Sequence, residues 1–215
     1  MRSGSPKHLG HGRELETGQI LLDEESVSGV MDFAAMFGNA APVEIEIGTG
    51  KGTFLLARAA ANPHLNFLGI EWARAYAIYA ADRFRRAGLA NVRMLRTDAG
   101  EIFRTHLAPQ SLWRVHVYFP DPWPKARHHR RRLVQPPFVE HARRALKLGG
   151  QLIIVTDHRG YFEQIQSVLA HAAGWARVPM PRMADTSGEL VGTNFERKYI
   201  AQGRPFYSAA RMRIT

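Results

Sequence analysis

Short hydrophobic runs alternate along this chain with segments whose apolar residues recur at helical spacing. The runs predict strands at residues 43–47, 66–71, 92–96, 115–119 and 151–156. The helical segments lie near residues 53–61, 73–87, 137–147 and 160–173. Because strands that alternate with helices are typical of a parallel sheet covered on both faces, we expect an α/β fold.

The two ends of the chain depart from this alternation. Residues 1–13 are rich in Gly, Ser, Pro, His and basic side chains and lack periodicity, which predicts a mobile basic arm. We assign residues 1–40 to this arm and residues 41–215 to one domain. Near the other end a short helix begins around Thr193, and residues 206–214 predict an antiparallel strand that closes the sheet.

Composition narrows the function classes. The formal net charge of +10 over 215 residues favours a polyanionic partner such as a nucleic acid. The absence of Cys excludes disulfides and thiolate chemistry and fits a reducing compartment. No apolar run approaches the ~20 residues of a membrane span, and no signal-peptide segment precedes the first strand. We therefore expect a cytoplasmic protein that does not enter a membrane.

A glycine-rich loop joins the first predicted strand to the first helix. Gly48 and Gly50 permit close backbone approach and positive φ where helix-terminal N–H groups favour an anion or carboxylate. A phosphate-binding loop would need Gly at 45 and Ser or Thr at 52, but Ile45 and Gly52 stand there. A dinucleotide loop would need Gly at 53, where Thr53 stands. The phosphate-binding interpretation therefore fails, and the dinucleotide interpretation is weakened but stays open.

Three acidic residues stand at or just beyond the ends of successive predicted strands, namely Glu46, Glu71 and Asp98. Open α/β sheets bind ligands at this edge. S-adenosylmethionine carries an amine, a ribose diol and an adenine amino group, all of which suit carboxylates. We assign Glu46 to the methionine end, Glu71 to the ribose and Asp98 to the adenine. A helix cap or a solvated loop is the alternative for any one of them.

The fourth predicted strand ends in Phe119-Pro120-Asp121-Pro122-Trp123-Pro124. This segment is similar to the Asp/Asn-Pro-Pro-aromatic element of methyltransferases that act on nucleobase amino groups. Its prolines fix the backbone, its Trp offers a stacking face, and its Asp can bind base N–H groups. A Pro-rich turn with a packed Trp is the structural alternative.

A basic block follows this segment directly. Five of its eight residues are cationic: Lys125, Arg127, Arg130, Arg131 and Arg132. A charge run is most often a solvated face, but its place beside the proposed reaction site favours contact with RNA phosphates. The adjoining His128 and His129 have no partner at metal-ligand spacing, so we predict no metal site.

Two further segments carry polar residues with two possible roles. Asp157 follows the fifth predicted strand, where it either faces a substrate or caps the next helix. Thr193-x-x-Glu196 matches a capping box, in which the Glu side chain reaches back to the start of the helix. Capping is the default interpretation of this second motif.

Taken together, Glu46-Ile47-Gly48-x-Gly50, Gly69-Ile70-Glu71, residues 119–125, the run through Arg132, Thr156-Asp157 and Gly192-Thr193-x-Phe195-Glu196 closely resemble the bacterial tRNA (guanine-N7)-methyltransferase family. The similarity spans roughly residues 42–200. Its Asp-Pro-Trp-Pro-Lys-x-Arg-His segment is specific, whereas the glycine loop is generic to methyltransferases. Ala126 stands where many relatives have a basic residue.

The resemblance implies a single Rossmann-like class I methyltransferase domain that uses S-adenosylmethionine. The implied activity is that of a tRNA (guanine(46)-N7)-methyltransferase, with a variable-loop guanosine as the acceptor. By motif position, Glu46, Gly48, Gly50, Glu71 and Asp98 bind the cofactor, and Asp121 is catalytic. The residues that contact the guanosine are Lys125, Asp157, Thr193, Asn194, Phe195 and Glu196.

Guanine N7 exposes an in-plane lone pair, so no proton has to leave before methyl transfer and positioning dominates. Asp121 either stabilises the cationic product or orients the base. Three other functions stay open at this point: an amino-group methyltransferase acting on adenine or cytosine, a basic RNA-binding module without activity, and a nicotinamide-dependent oxidoreductase.

Overall fold

Eight strands form one sheet in the computed structural model of this protein, which describes residues 9, 12–22, 27–184 and 188–215. The strands are β1 (Leu21–Leu22), β2 (Val43–Ile47), β3 (Asn66–Ile70), β4 (Val92–Leu95), β5 (Leu112–Tyr118), β6 (Leu146–Thr156), β7 (Trp175–Val178) and β8 (Tyr207–Arg213). Their order across the sheet is β1-β4-β3-β2-β5-β6-β8-β7. Only β8 runs antiparallel to its neighbours, β6 and β7, so the predicted closing strand is confirmed.

The helices lie mostly where their spacing predicts them. They are α1 (Phe33–Phe37), α2 (Thr53–Ala61), α3 (Arg74–Arg86), α4 (Ala99–Glu101), α5 (Pro136–Ala145), α6 (Arg159–His171) and α7 (Asn194–Ala201). A π-helical turn, Ile102–His106, extends α4, and a 3₁₀ turn covers Ala126–Arg131. β2 and α2 have the predicted bounds, and the other four strands and three long helices are confirmed with shifted ends, whereas β1, β7, α1 and α4 had not been predicted.

Two hydrophobic clusters lie on opposite faces of the sheet. One contains side chains of α5 and α6, such as Val139 and Ile165, packed on Val115 and Leu152. The other contains side chains of α2 and α3, such as Leu55 and Phe84, packed on β3 and β4. Each fully buried large side chain contributes about 1.5–3 kcal/mol to folding. The sheet is therefore covered on both faces, as the nearly continuous apolar sequences of its central strands predict.

A polar network is buried inside this sheet. Glu44 on β2 accepts hydrogen bonds from Arg58 at 3.0 and 3.1 Å and from Arg114 at 3.0 Å, and its carboxylate lies 3.0 Å from His116 Nε2. Tyr118 completes the chain, 2.7 Å from His116 Nδ1. Burial alone raises the pKa of Glu44, but His116 and Arg58 outweigh it and lower that pKa to about 2. Burial lowers the pKa of His116, so its neutral ring links an ionised Glu44 to the Tyr118 hydroxyl.

Part of the predicted N-terminal arm belongs to the packed domain. Arg13 Nη2 pairs with Asp82 at 2.9 Å, and Met94 N donates to Ile20 O at 2.7 Å as β1 joins β4. Residues 12–22 are therefore fixed to α3 and the sheet. Of the residues assigned to the partly mobile arm, 1–8, 10, 11 and 23–26 lie outside the described residues. In the part of the chain that the structure describes, no helix is long and apolar enough to cross a membrane.

Candidate active site

Five acidic residues meet at the edge of the sheet where the parallel strands end. The register places Glu46 beside Gly69 and Gly69 beside Met94, so the ends of β2, β3 and β4 lie level. The chain order reverses between β2 and β5, which is the position where open α/β sheets bind ligands. The acids at this edge are Glu46, Glu71, Asp98, Asp121 and Asp157.

The glycine loop after β2 is shaped by positive backbone angles and close contacts. Gly48 and Gly50 have φ of 77° and 55°, which L side chains rarely adopt. Gly52 begins α2 with φ of 71°, and a Cβ there would lie 2.7 Å from Phe84 Cζ. At Gly69 a Cβ would lie 2.7 Å from the Thr49 hydroxyl. Glycine at these positions lets the loop fold tightly over the ends of β2 and β3.

Glu46 is a buried acid with one carboxyl oxygen left without a partner. The residue is only 3% exposed, and Oε2 has no hydrogen-bond partner among the described residues, although a hydrogen bond with the Thr49 side chain favours the ionised form. Burial, followed by the charge of Glu71, raises the pKa of Glu46 well above its usual value. An unpaired buried carboxylate is costly, so the site is suited to a ligand that brings a cationic hydrogen-bond donor.

Glu71 ties the glycine loop to the start of α3. Gly50 N donates to Glu71 Oε2 at 2.8 Å, and Ala73 N donates to Oε1 at 2.9 Å. Burial raises the pKa of Glu71 more than these backbone donors lower it, and the charge of Asp121 raises it further. Asp121 is thus close enough to act electrostatically on the predicted cofactor site.

Asp98 has the capping role that the sequence left as its alternative. It accepts a hydrogen bond from Gly100 N at 2.7 Å at the start of α4. It also borders a cavity of about 310 Å³ whose lining mixes apolar side chains, Leu133 and Phe138, with cationic ones such as Arg104 and Arg131. Capping and ligand contact are therefore compatible at Asp98.

The segment around Asp121 is held in a strained conformation. Phe119 and Trp123 have positive φ, 50° and 42°, and such angles cost a non-glycine residue about 1–3 kcal/mol each. Phe119 N donates to Val155 O at 2.7 Å, which fixes the start of the segment to β6. Asp121 itself is exposed. The strain is located where the sequence predicts the catalytic residue.

Arg132 supports this segment from inside. It is 4% exposed, and its Nε donates to Pro122 O at 2.8 Å while Nη1 donates to Gln164 at 2.5 Å. Its guanidinium also lies 4.8 Å from the Tyr161 ring centre. Because these contacts enclose the side chain, we leave Arg132 out of the RNA-binding set to which the basic pattern had assigned it.

The other cations of the basic block face solvent. Lys125 precedes the 3₁₀ turn, and Arg127 and Arg130 are exposed on it. Arg131 lies 5.0 Å from the Trp123 ring centre, which places a cation over the aromatic face beside Asp121. The structure therefore brings the exposed cations, Trp123 and Asp121 together on one surface.

Thr193 and Glu196 accept more backbone hydrogen bonds than the predicted capping box requires. Thr193 Oγ1 accepts from Glu196 N at 3.0 Å, as expected of an N-cap. The buried Glu196 carboxylate accepts from the backbone N–H groups of Leu190, Val191 at 2.9 Å and Gly192 at 2.7 Å. These two residues shape the loop, which leaves Asn194 and Phe195 as the exposed residues of this motif; Lys125 is the other exposed member of the predicted guanosine-contact set.

Replacing Glu196 with Gln is expected to lower the free energy of unfolding by about 1–3 kcal/mol, because an amide accepts fewer N–H groups and adds a donor to a buried acceptor site. Thermal and urea unfolding measure the change. Glu163→Gln is the matched control, since that exposed Glu pairs only with Arg159 at 2.9 Å and its loss should change stability by less than about 0.5 kcal/mol. Equal stability of both variants would show that the carboxylate does not hold the loop.

Tyr199 and Arg204 lie beside Asp157, and the sequence pattern had not singled out either of them. The Tyr199 ring lies 5.4 Å from that of Phe119 and 6.2 Å from that of Phe195. Arg204 pairs with Asp157 at 2.6 Å. Phe195 and Tyr199 stand four residues apart on α7, and this helical spacing is the sequence signal that would have grouped them.

The fold is that of S-adenosylmethionine-dependent methyltransferases. The crystal structure of the antibiotic-resistance methyltransferase Kmr matches with a TM-score of 0.56, at 18% identity over 87% of this chain and 96% of that one. At this identity the match shows the fold and no more. In the described ranges, no group of three or more His, Asp or Glu residues is arranged to hold a metal ion.

Sequence relatives define the family. A family model described as putative methyltransferase matches residues 40–209. The tRNA (guanine-N(7)-)-methyltransferase of Pseudomonas paraeruginosa is 40% identical over 92% of this chain and 81% of its own length. That of Nocardia farcinica is 48% identical over 64% of this chain, which spans about half of that relative, 51%. The chain belongs to the tRNA (guanine-N7)-methyltransferase family.

Proposed function

We propose that this protein transfers the methyl group of S-adenosylmethionine to N7 of a variable-loop guanosine in tRNA. The observation that carries the proposal is the buried Glu46 carboxyl, whose Oε2 lacks a partner among the described residues, beside Glu71 at the same sheet edge as the strained Asp121 segment. The names of the relatives support the substrate, and the exposed cations next to Asp121 fit a phosphate backbone.

The residues present fit the cofactor. Glu46 offers its free carboxylate oxygen to the methionine amine, and the Gly48–Gly50 turn leaves room for the methionine end beside it. Glu71 is already fixed by two backbone donors and faces the ribose hydroxyls. Asp98, just beyond the end of β4, receives the adenine amino group. When bound, the cofactor supplies an electrophilic methyl group on sulfur.

The chemistry needs orientation more than proton transfer. Guanine N7 donates its lone pair to the methyl carbon, a nitrogen–carbon bond forms, and the carbon–sulfur bond breaks with its electrons left on sulfur. The positive charge passes from sulfur to the purine, and no proton moves. Asp121 faces this charge, so its carboxylate stabilises the cationic purine or holds the base through N–H groups.

The guanosine is held by residues from three elements. Phe195 is exposed and Trp123 is half-buried, and stacking on such a ring contributes about 1–3 kcal/mol per base. Lys125 and Asn194 supply exposed polar groups, and Asp157 follows β6. Thr193 and Glu196 act indirectly, by fixing the loop that presents Asn194 and Phe195.

Replacing Arg127 and Arg130 with Gln is expected to weaken tRNA binding and make it less dependent on salt. Each lost phosphate contact lowers the slope of log K against log salt by about 0.7–0.9. Fluorescence titration of tRNA at several salt concentrations measures this slope. The matched control is Arg143→Gln with Arg177→Gln, since Arg143 lies beside Thr215 and Arg177 pairs with β8, far from Asp121. An equal slope change in both variants would exclude a local contact.

The acceptor atom is tested with a tRNA transcript that carries 7-deazaguanosine at its variable-loop guanosine. The deaza base keeps its Watson–Crick edge but has carbon in place of N7, so we expect no methyl transfer. A transcript with 7-deazaguanosine elsewhere should be methylated at the normal rate. Continued methylation of the first transcript would identify another acceptor atom and favour an amino-group methyltransferase.

A further inference from the structure

Arg204 has a position that the proposed reaction does not explain. It follows α7, and its backbone N donates to Tyr199 O at 2.9 Å. Its side chain turns toward the sheet edge, where Nη2 donates to Asp157 Oδ2 at 2.6 Å. The Asp157 side chain is almost covered, at 9% exposed, whereas that of Arg204 is 41% exposed. A side chain that can move into solvent therefore covers a candidate substrate-binding acid.

An aromatic ring lies under the same guanidinium. The Arg204 guanidinium carbon is 4.4 Å from the Tyr199 ring centre. Tyr199 in turn packs near Phe119, the first residue of the segment that carries Asp121. Asp157 and Phe119 follow neighbouring strands, since Tyr118 pairs with Val155 across β5 and β6. The acid and the ring therefore belong to the same surface as the predicted catalytic residue.

The chemistry of the Arg204 head group matches that of the proposed substrate. A guanidinium is planar, carries parallel N–H donors that suit a carboxylate, and stacks on aromatic rings. Guanine presents N1–H and an amino group side by side on its Watson–Crick edge and stacks in the same way. Its 7-methyl product is also a planar cation. Adenine has an acceptor at N1, so it cannot present the same pair of donors.

We propose that Tyr199 and Asp157 form the platform that receives the target base, and that Arg204 fills this platform in the ligand-free protein and leaves when guanine enters. The inference rests on the proposed function and deepens it, because it names the ring that stacks the base and the side chain that competes with it. The Asp157 carboxylate can accept the two donors of guanine but is not matched by adenine, so the platform itself selects guanine, whereas Arg204 lowers the occupancy of the platform by any base.

The competition reduces the apparent affinity for the base. The apparent association constant equals the intrinsic one multiplied by the fraction of molecules in which the platform is open. An ion pair and a cation–π contact at a half-exposed site together favour the closed form by a factor of about three to ten. Removing the Arg204 head group should recover that factor.

The test measures binding of guanosine, 7-methylguanosine and adenosine to the full chain by NMR titration. Arg204→Met keeps length and packing but removes the donors, and we expect it to bind both guanine nucleosides about three- to tenfold more tightly, with adenosine still bound more weakly than guanosine. Arg204→Lys keeps the charge without the planar fork and should show a smaller gain. Arg143→Met, far from the platform, should bind as the wild type does.

Unchanged or weaker binding of guanosine by Arg204→Met would overturn the proposal, since Arg204 would then be a bystander or a direct substrate contact. If Arg204→Met does not fold, Arg204→Lys decides: tighter binding of guanosine than in the wild type supports the proposal, and unchanged or weaker binding overturns it. Failure of the proposed function is read separately, as absence of 7-methylguanosine in tRNA treated with the wild-type protein.

Discussion

Replacing Asp121 with Asn is expected to reduce the rate of methyl transfer by about 100- to 1000-fold while folding and cofactor binding are retained. The amide has the same size, but it removes the negative charge that faces the developing purine cation, and the loss of one electrostatic contact of this kind has effects of that order. Asp121 is exposed at the end of a segment fixed by Phe119 and Arg132, so the substitution leaves no buried group unpaired. Single-turnover methylation of tRNA at saturating cofactor measures the effect.

Asp32→Asn is the matched control for this variant. Asp32 is also an exposed acid, but it caps α1 by accepting from Ala35 N at 3.0 Å, away from the acidic sheet edge. Its replacement should leave turnover within about twofold of the wild type, since surface substitutions away from such a site have small effects. Near-normal turnover of Asp121→Asn would remove Asp121 from the mechanism.

Replacing Glu46 with Gln is expected to weaken binding of S-adenosylmethionine by about 100-fold or more and to stabilise the ligand-free protein. The amide cannot pair with the methionine amine as an ion, and truncating one partner of a buried charge pair costs about 2–5 kcal/mol. The same change removes a buried carboxylate whose Oε2 lacks a partner among the described residues. Calorimetric titration and thermal unfolding report the two opposite effects. Weaker binding with lower stability would indicate simple damage to β2.

The pH dependence of cofactor binding gives a second check on Glu46. Burial raises the pKa of Glu46 above its usual 4.5, so its protonated form accumulates as pH falls through this raised value. Wild-type affinity should therefore fall on acidification, while the affinity of Glu46→Gln depends less on pH. Ionised Glu46 destabilises the ligand-free wild type fully above the raised pKa. This destabilisation is lost as the pH falls from the raised pKa to 4.5. Glu44, with a pKa of about 2, stays ionised throughout and does not contribute.

Local pattern was sufficient to predict the sheet and the acids at its edge. The central strands are long enough to show apolar runs, and parallel strands place their ends at one edge whatever the loops do. β1 has two residues, Leu21–Leu22, and exists only because β4 offers a neighbouring strand to pair with. β7 likewise depends on pairing with β8. Their existence is decided by tertiary pairing, which no short sequence window contains.

The roles of individual polar side chains were harder to predict than their positions. Arg132 stands in a cationic run, yet it is buried because Pro122 O, Gln164 and Tyr161 surround its guanidinium. Arg204 stands alone in sequence, yet it covers Asp157 after the chain has passed through α6, β7 and α7. Arg132 is buried by a contact with Gln164, 32 positions away in the sequence, and Arg204 reaches Asp157, 47 positions away. Contacts at such separations decide which arginine is buried and which can be displaced.

The central claim is tested most directly by identifying the nucleoside that the protein makes. Purified protein is incubated with isotopically labelled S-adenosylmethionine and unmodified tRNA, the tRNA is digested, and the labelled nucleoside is identified by mass spectrometry. Labelled 7-methylguanosine from the variable loop, reduced at least 100-fold with Asp121→Asn, is the predicted result. Label in a methylated adenosine or cytidine, or no transfer despite tight tRNA binding, would contradict it.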